Sequence, residues 1–320
     1  MQVNVLKPGL LTTIQDQGRI GYRDTGIPVA GAMDKFASQI ANILVGNKKE
    51  LPVLELTYGD VVLKTATDVL ISCCGDGSSL ITGGRELPYW KSLFIPANTE
   101  LRFKTGKTGC RTYISIAGGW CAQHILNSHS TYLPINIGGF NGAALQPGDK
   151  LQSEEHVSVI SLSILSKLSS SNINYPNWGV FPNSFVNYTS KQVRVIPQHE
   201  FDWFDNDSRK SFFEEFFTLT MQSNRMGYQL DGQPLTQKET KQLLSIAVSM
   251  GTIQITSSGS PILLMADCQT TGGYPRIAQV AAVDLPVCAQ LKPGDTIQFK
   301  KITLEEAERE YLLLLSNITA

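Results

Sequence analysis

The hydrophobic pattern of the first half of the chain predicts β-strands. Residues 2–6 alternate between apolar and polar, and short apolar or alternating runs recur up to residue 162. Turn-forming residues such as Gly, Pro, Asn and Asp separate these runs. The predicted strands cover 2–6, 53–57, 61–64, 68–73, 79–82, 92–95, 100–105, 111–117 and 156–162. Short strands at intervals of about 8–12 residues favour a barrel or sandwich over alternating strands and helices.

The second half also has short apolar or alternating runs separated by turns, and it has fewer of them. Strands are predicted near 192–197, 245–249, 251–256, 261–266, 278–283 and 295–299, and 224–235 is interpreted as a charged connector. Helical spacing of apolar residues is found at 33–45, near 206–217 and at 303–315. In the last of these, Thr303 and Glu306 have the spacing of a capping box. The chain is therefore predicted to be mainly β with a few short helices.

Two short sequence echoes indicate related halves. Arg-x-Gly-Tyr followed by Gly-x-Pro occurs at 19–28 and again at 225–234. Leu-x-Pro-Gly-Asp, an expected hairpin turn, occurs at 145–149 and again at 291–295. We predict an N-terminal β-barrel-like domain at 1–165, a connecting segment at 166–190 and a C-terminal β-barrel domain at 191–320.

Composition excludes several classes of function. The 320 residues carry a net charge of −1, with 42% hydrophobic and 17% charged residues, so no basic surface for nucleic acid or anionic membrane is expected. No signal peptide and no membrane-spanning run of about 18 apolar residues is found, which predicts a cytoplasmic protein. The six cysteines fit reduced thiols. Cys121, His124 and His129 match no zinc spacing, so no metal site is predicted.

One polar stretch stands out as a candidate site. The apolar run 262–266 is followed within ten residues by a carboxylate, an amide, hydroxyls and a guanidinium, in Asp267, Gln269, Thr270, Thr271, Gly272, Gly273, Tyr274 and Arg276. Functional side chains often lie on loops held by a rigid strand, and glycines allow a ligand or another segment to come close. A hairpin whose side chains only bond their own backbone would have the same composition. The residues alone leave both interpretations open.

Known nucleotide and cofactor motifs are missing. Gly106-Lys107-Thr108 lacks the earlier glycine of a phosphate-binding loop, since Leu101 occupies that position. The sequence contains no Gly-x-Ser-x-Gly, no His-Glu-x-x-His and no Met-Lys-Met biotin attachment site. ATP or biotin, if used, would be bound by partner chains.

Six stretches of the sequence together resemble one known family. They are 7–34, 54–60, 117–120, 130–133, 138–149 and 264–280, and they resemble the C subunit of biotin-dependent 5-oxoprolinase, also called allophanate hydrolase subunit 2 or KipA. The family is related to the carboxyltransferase part of urea amidolyase. The resemblance implies two cyclophilin-like β-barrel domains and a complex with the A and B subunits of 5-oxoprolinase, of which the B subunit is KipI-like. It also implies ATP-dependent opening of 5-oxoproline to L-glutamate by the complex, with this chain inactive alone and any biotin carried on a partner.

Two alternative functions stay open at this point. The urea-handling relatives imply a carboxyltransferase component for urea or allophanate, and the KipA relatives imply a regulator that antagonises a kinase inhibitor. Two departures from the family pattern bear on the substrate: Ala30 stands where a serine is usual, and Ala143 where an arginine is usual. The resemblance therefore indicates the family and leaves the substrate open between 5-oxoproline and urea or allophanate.

The resemblance suggests roles for the candidate residues. Asp267 is the expected base or acceptor for a substrate N–H, Arg276 the expected carboxylate clamp, and Tyr274 an expected donor to a carbonyl oxygen. Gln269, Thr270, Thr271, Gly272 and Gly273 are expected to bind the substrate beside them. A second wall is expected from Gln15, Arg19, Tyr22 and Asp34, with His124 and His129 as alternative acid–base groups. The loop at 267–276 is thus predicted to form half of a site.

Overall fold

The chain forms two compact units, and one short segment belongs to the unit that its place in the sequence would not suggest. The computed structural model describes residues 1–239, 241 and 243–319. The N-terminal unit contains Met1–Ile20 and Ala30–Ser184, and the C-terminal unit contains Gly21–Val29 and the residues from Phe185 onwards. The chain passes between the units at Ser184–Phe185, within the predicted connecting segment 166–190. Residues 21–29 are therefore part of the C-terminal unit.

The N-terminal unit has two antiparallel sheets and two helices. Its elements are β1 (Gln2–Pro8), β2 (Leu11–Gln15), α1 (Lys35–Leu44), β3 (Val53–Thr57), β4 (Val61–Thr65), β5 (Val69–Gly75), β6 (Ser78–Thr82), β7 (Arg85–Leu87), β8 (Ser92–Ile95), β9 (Glu100–Thr105), β10 (Arg111–Ile116), β11 (Lys150–Gln152) and α2 (Val159–Leu168). One sheet has the order β11-β1-β4-β9-β6-β7 and the other β2-β3-β10-β5-β8. Inward side chains of both sheets share one core around the buried Trp120, whose indole N–H donates to the Ile114 carbonyl at 2.9 Å.

The C-terminal unit is built on a closed barrel. Its elements are β12 (Gln192–Pro197), α3 (Asn206–Glu214), β13 (Phe217–Leu219), β14 (Gly227–Asp231), β15 (Ile246–Ala247), β16 (Thr252–Ile255), β17 (Pro261–Leu264), β18 (Thr271–Gly272), β19 (Arg276–Val280), α4 (Leu285–Gln290), β20 (Thr296–Lys301) and α5 (Leu304–Thr319). The barrel order is β12-β19-β16-β17-β14-β13-β20, and β15 with β18 forms a separate two-stranded ribbon. Phe212 of α3 stacks on Phe299 of β20 at 4.8 Å between ring centroids, which fixes that helix on the barrel.

The mainly β prediction is confirmed, with three local corrections. The predicted strand at 156–162 is wrong because α2 begins there, and the Ser158 hydroxyl caps it by accepting from the Ser161 N–H at 3.0 Å. The predicted connector at 224–235 is also wrong, since Gly227–Asp231 pairs with β17 as β14. The strand predicted at 278–283 ends at Val280, where a 3-10 turn leads into the unpredicted α4. The predicted likeness to cyclophilin stays a prediction. Among the described residues, no helix is long and apolar enough to cross a bilayer.

The predicted Pro-Gly-Asp turns have the same geometry in both units. Gly148 has φ 93° and Gly294 has φ 91°, a left-handed conformation that favours glycine. The Asp149 carboxylate accepts from the Gln146 N–H at 2.7 Å, and the Asp295 carboxylate accepts from the Lys292 N–H at 2.9 Å. The other echo is not matched in structure, because 227–231 forms β14 whereas 21–28 contains a 3-10 turn and no strand.

Candidate functional site

The candidate stretch lies between two barrel strands of the C-terminal unit. It begins after β17 ends at Leu264 and finishes where β19 begins at Arg276, and both strands pair with β16. Between them, Thr271 and Gly272 pair with Ala247 and Ile246 in the β15–β18 ribbon. We call residues 267–276 the site loop. It is held at both ends by the barrel and in its middle by the ribbon, as expected for a loop that carries functional side chains.

Asp267 is buried and fully engaged by an arginine. Its Oδ2 accepts from Arg225 Nε at 2.8 Å and its Oδ1 accepts from Arg225 Nη2 at 2.9 Å, and both side chains are 7% exposed. The Asp267 N–H also donates to the Arg225 carbonyl at 2.9 Å. A carboxylate with both oxygens on one guanidinium is poorly placed to remove a proton from a substrate. The geometry instead favours a structural role at the start of the site loop.

Arg276 is held in the same way at the other end. Its Nε donates to Glu200 Oε2 at 2.9 Å and its Nη2 to Glu200 Oε1 at 3.0 Å, with Nη1 3.4 Å from the Ala247 carbonyl. Burial raises the pKa of Glu200, but hydrogen bonds and charge from Arg276 outweigh it and hold this pKa below the usual range. The guanidinium edge that would clamp a substrate carboxylate is therefore occupied by Glu200.

Gly272 of the site loop serves close packing, and neither of the loop's two glycines forms a left-handed turn. Neither Gly272 nor Gly273 is among the residues with positive φ in the described chain. A side chain at Gly272 would place its Cβ 2.7 Å from Gln254 Nε2. That buried amide donates to the Tyr274 carbonyl at 2.9 Å, and its Oε1 lies 3.4 Å from Gln269 Nε2. Gln254, which the sequence reasoning missed, thus stabilises the site loop through hydrogen bonds to Tyr274 and Gln269.

The remaining polar side chains of the site loop reach solvent. Tyr274 is 46% exposed, Thr271 is exposed, and Gln269 and Thr270 are half-buried. Tyr274 also borders a cavity of about 500 Å³ lined by hydroxyl side chains such as Thr256 and Ser258. These groups are the ones that a small polar substrate could contact in this part of the molecule.

Segment 21–29 brings part of the predicted second wall to the C-terminal unit. Tyr22, half-buried, precedes a 3-10 turn at Arg23–Thr25 and accepts a hydrogen bond on its carbonyl from the Thr25 hydroxyl at 2.7 Å. Arg23 donates through Nη2 to the Val248 carbonyl next to the ribbon. The sequence reasoning did not single out Arg23, although it lies in the most family-like block of the first half.

Gln15, Arg19 and Asp34 lie in the N-terminal unit, where each has an internal partner. Gln15 is 1% exposed and donates to the Thr13 hydroxyl at 3.0 Å and the Thr131 carbonyl at 3.2 Å. The fully buried Arg19 donates to the Ser130 carbonyl. The Asp34 side chain caps α1 by accepting from the Ala37 N–H at 2.9 Å. These contacts indicate that the three side chains stabilise the N-terminal unit.

Asp16 is the polar centre of the N-terminal unit that sequence reasoning missed. Its Oδ1 accepts from the Ser128 hydroxyl at 2.7 Å and the Ser130 hydroxyl at 2.5 Å, and its Oδ2 accepts from the His129 N–H at 2.5 Å. Its charge also opposes the burial that lowers the pKa of Lys35. The pattern Asp-x-Gly, with Asp16 Oδ1 accepting from the Gly18 N–H at 2.8 Å, was the available signal.

A buried network supports the segment before α1. The Glu55 carboxylate accepts from the Tyr113 hydroxyl and from the Met33 N–H, both at 2.8 Å, and that hydroxyl accepts from the Asp34 N–H at 2.8 Å. Burial first, then the nearby carboxylates, raise the pKa of Tyr113 well above its usual value. Ala30 in this segment has φ 55°, a strained value for a residue with a side chain. Ala30, which stands where the family usually has a serine, therefore lies at a strained backbone position next to this buried network.

The cysteines and the two candidate histidines form neither disulfides nor a metal site among the described residues. All six cysteines are free. The rings of His124 and His129 are tilted by 38° with centroids 4.7 Å apart, and His129 Nδ1 lies 3.1 Å from the Ala122 carbonyl. Within the part of the chain that the structure describes, no group of three or more His, Cys, Asp or Glu could hold a metal ion.

Comparisons with known proteins agree on one family. The sequence profile described as carboxyltransferase domain, subdomain A and B, matches residues 25–301. The C subunit of 5-oxoprolinase from Escherichia coli is 35% identical over 95% of this chain and 93% of its own length. The urea amidolyase of Saccharomyces cerevisiae is 29% identical over 95% of this chain, which spans 17% of that protein. The crystal structure of the Kluyveromyces lactis urea carboxylase superposes on 99% of this chain with a TM-score of 0.88 and 27% identity, and this chain covers 29% of it.

Proposed function

This chain belongs to the carboxyltransferase-domain family, and within it to the group of 5-oxoprolinase C subunits, and we propose that it fills that place in a 5-oxoprolinase complex. The observation that carries the proposal is the near end-to-end match with the Escherichia coli relative, which includes 95% of this chain and 93% of the relative. Against the yeast urea amidolyase, the same chain accounts for only 17% of the relative's length. The match therefore extends over nearly the whole Escherichia coli relative and over one part of the yeast relative.

We propose that the complex opens the lactam ring of 5-oxoproline to L-glutamate with hydrolysis of ATP. Water adds across the amide C–N bond of the ring, so negative charge develops on the lactam oxygen in the transition state. In the proposal, the partner A and B subunits bind ATP, because this sequence has no phosphate-binding motif. Any biotin would likewise be carried by a partner. The activity would then require all three subunits together.

The exposed and half-buried donors of the site loop fit a role in stabilising that charge. The Tyr274 hydroxyl and the Gln269 amide can donate to an oxygen, and the Thr270 and Thr271 hydroxyls can do the same. The two arginine–carboxylate pairs at Asp267 and Arg276 fix the ends of the loop that presents them. In this proposal Tyr274 contacts the substrate, whereas Asp267 and Arg276 act as positioning residues.

Mixing the three subunits tests the proposal. Glutamate release from 5-oxoproline is expected only when ATP, this chain, and the A and B subunits are all present. In such a complex, Tyr274→Phe removes one donor and is expected to lower kcat by about 100- to 1000-fold, the range for loss of one oxyanion donor. Phe213→Leu, a change in the half-buried aromatic cluster of α3, serves as a control for handling of the variant complex. Turnover without this chain would refute the proposal.

A second function is favoured by the structural likeness to urea carboxylase. A TM-score of 0.88 over 99% of the chain supports the hypothesis that a carboxyl group is passed between biotin on a partner and a urea-type substrate. The same complex distinguishes the two, since this alternative requires bicarbonate and a biotinylated partner and yields allophanate from urea. Urea-dependent ATP use without 5-oxoproline turnover would favour it.

A further inference from the structure

Three arginines of the C-terminal unit lie in or next to the site loop, and two of them have carboxylate partners. Arg225 is paired with Asp267, and Arg276 is paired with Glu200. Arg23, brought into this unit by segment 21–29, takes part in no ion pair within the described part of the chain. The charges of the two pairs cancel, so Arg23 contributes a positive charge that no carboxylate neutralises.

The position of Arg23 is fixed by the backbone that supports the site loop. Its Nη2 donates to the Val248 carbonyl, and the Val248 N–H donates to the Thr270 carbonyl at 3.0 Å. Burial raises the pKa of the Cys268 thiol to about 11, and the positive charge of Arg23 opposes that rise. Arg23 is therefore linked through Val248 to Thr270, and its charge acts on Cys268, both in the first half of the site loop.

Most N–H donors of the Arg23 guanidinium are available for a ligand. It offers five N–H groups, and the structure assigns one contact, to the neutral Val248 carbonyl. The side chain is half-buried, so it is partly shielded from water while part of it stays accessible. A half-buried guanidinium with free donors is suited to a two-pronged contact with a carboxylate. Arg276, the residue expected for this contact from the sequence, already uses that edge on Glu200.

We propose that Arg23 binds the carboxylate of the substrate and so selects an acidic lactam over a neutral amide such as urea. This inference rests on the proposed 5-oxoprolinase function and adds a residue to its site. It also gives segment 21–29 a function in the C-terminal unit, because this segment supplies a positive charge where the arginines beside the site loop are neutralised by their own ion pairs. Asp24, the neighbouring acid, is exposed and forms no ion pair with Arg23, both residues being within the described chain.

Kinetics of the complete complex with 5-oxoproline test the inference. Arg23→Met removes the charge with little change in side-chain length, and Arg23→Lys keeps the charge without the fork. Loss of a hydrogen bond to a charged group predicts a KM for 5-oxoproline raised by about 10- to 100-fold in Arg23→Met, with kcat much less affected. Arg23→Lys is expected to restore part of the affinity. Arg209→Met, at an arginine of α3 paired with Asp202, is the matched control and should keep the wild-type KM.

Several outcomes would overturn the inference. An unchanged KM in Arg23→Met would exclude a contact with the substrate carboxylate. A fall in kcat together with a lower thermal unfolding midpoint, both restored by Arg23→Lys and with KM unchanged, would show that Arg23 only ties segment 21–29 to Val248. The wild-type complex is assayed before any Arg23 variant. If it does not turn over 5-oxoproline at all, the proposed function is refuted, and this result is distinct from an unchanged KM in Arg23→Met.

Discussion

Replacing Asp267 by alanine separates a positioning role from a role in proton transfer. The change leaves the Arg225 guanidinium, 7% exposed, without its two charge-assisted hydrogen bonds of 2.8 and 2.9 Å. Removal of one member of a buried pair costs about 3–5 kcal/mol, a large part of the roughly 5–15 kcal/mol that stabilises a typical protein. With a urea m-value of about 2 kcal/mol/M, the unfolding midpoint should fall by about 2 M. Asp202→Ala, which breaks an exposed pair with Arg209, should cost at most about 1 kcal/mol.

A double variant provides the decisive measurement. Arg225→Met in the Asp267→Ala background removes the stranded charge, so most of the lost stability should return, because an apolar replacement of a buried ion pair is often neutral. If Asp267 only positions the loop, glutamate release by the complex should recover along with stability. A double variant that regains its urea midpoint and stays as inactive as Asp267→Ala would refute this reasoning and restore Asp267 as the base.

Two further predictions concern the packing and the charge of the site loop. Gly272→Ala should cost about 1–3 kcal/mol and reduce activity, because its Cβ would lie 2.7 Å from Gln254 Nε2, whereas Gly273→Ala, with no neighbour nearer than 3.4 Å, should be close to neutral in urea unfolding. The lowered pKa of Glu200 contributes stability above the ordinary glutamate pKa of about 4.3, and this contribution is lost as the pH falls through the lowered value. Glu200→Gln should therefore flatten the acid limb of the stability profile, and the exposed Glu215→Gln should leave it unchanged; equal slopes for wild type and Glu200→Gln would contradict the assignment.

The errors in the strand prediction have local physical causes. The run at 156–162 alternates well enough to predict a strand, but the Ser158 hydroxyl caps a helix instead by accepting from the Ser161 N–H. In β14, Tyr228 and Leu230 are buried and Gln229 and Asp231 exposed, so the alternation was present and was obscured by flanking polar residues. The capping box at the last helix is confirmed, with the Thr303 N–H 3.0 Å from Glu306 and the Glu306 N–H 3.2 Å from the Thr303 hydroxyl.

The sequence by itself determined the mainly β character and the recurrent Pro-Gly-Asp turns, because periodicity and turn chemistry are local properties. It also singled out the stretch 267–276 as a candidate site, which stays a prediction. Only the tertiary structure decided which of its side chains are available. Asp267 and Arg276 are the charged groups of this stretch, yet partners 42 and 76 residues away in sequence occupy them. Arg23 belongs to the same unit although 225 residues separate it from Val248. Charge pairing between distant segments cannot be read from spacing along the chain, because it depends on which strands the barrel brings together.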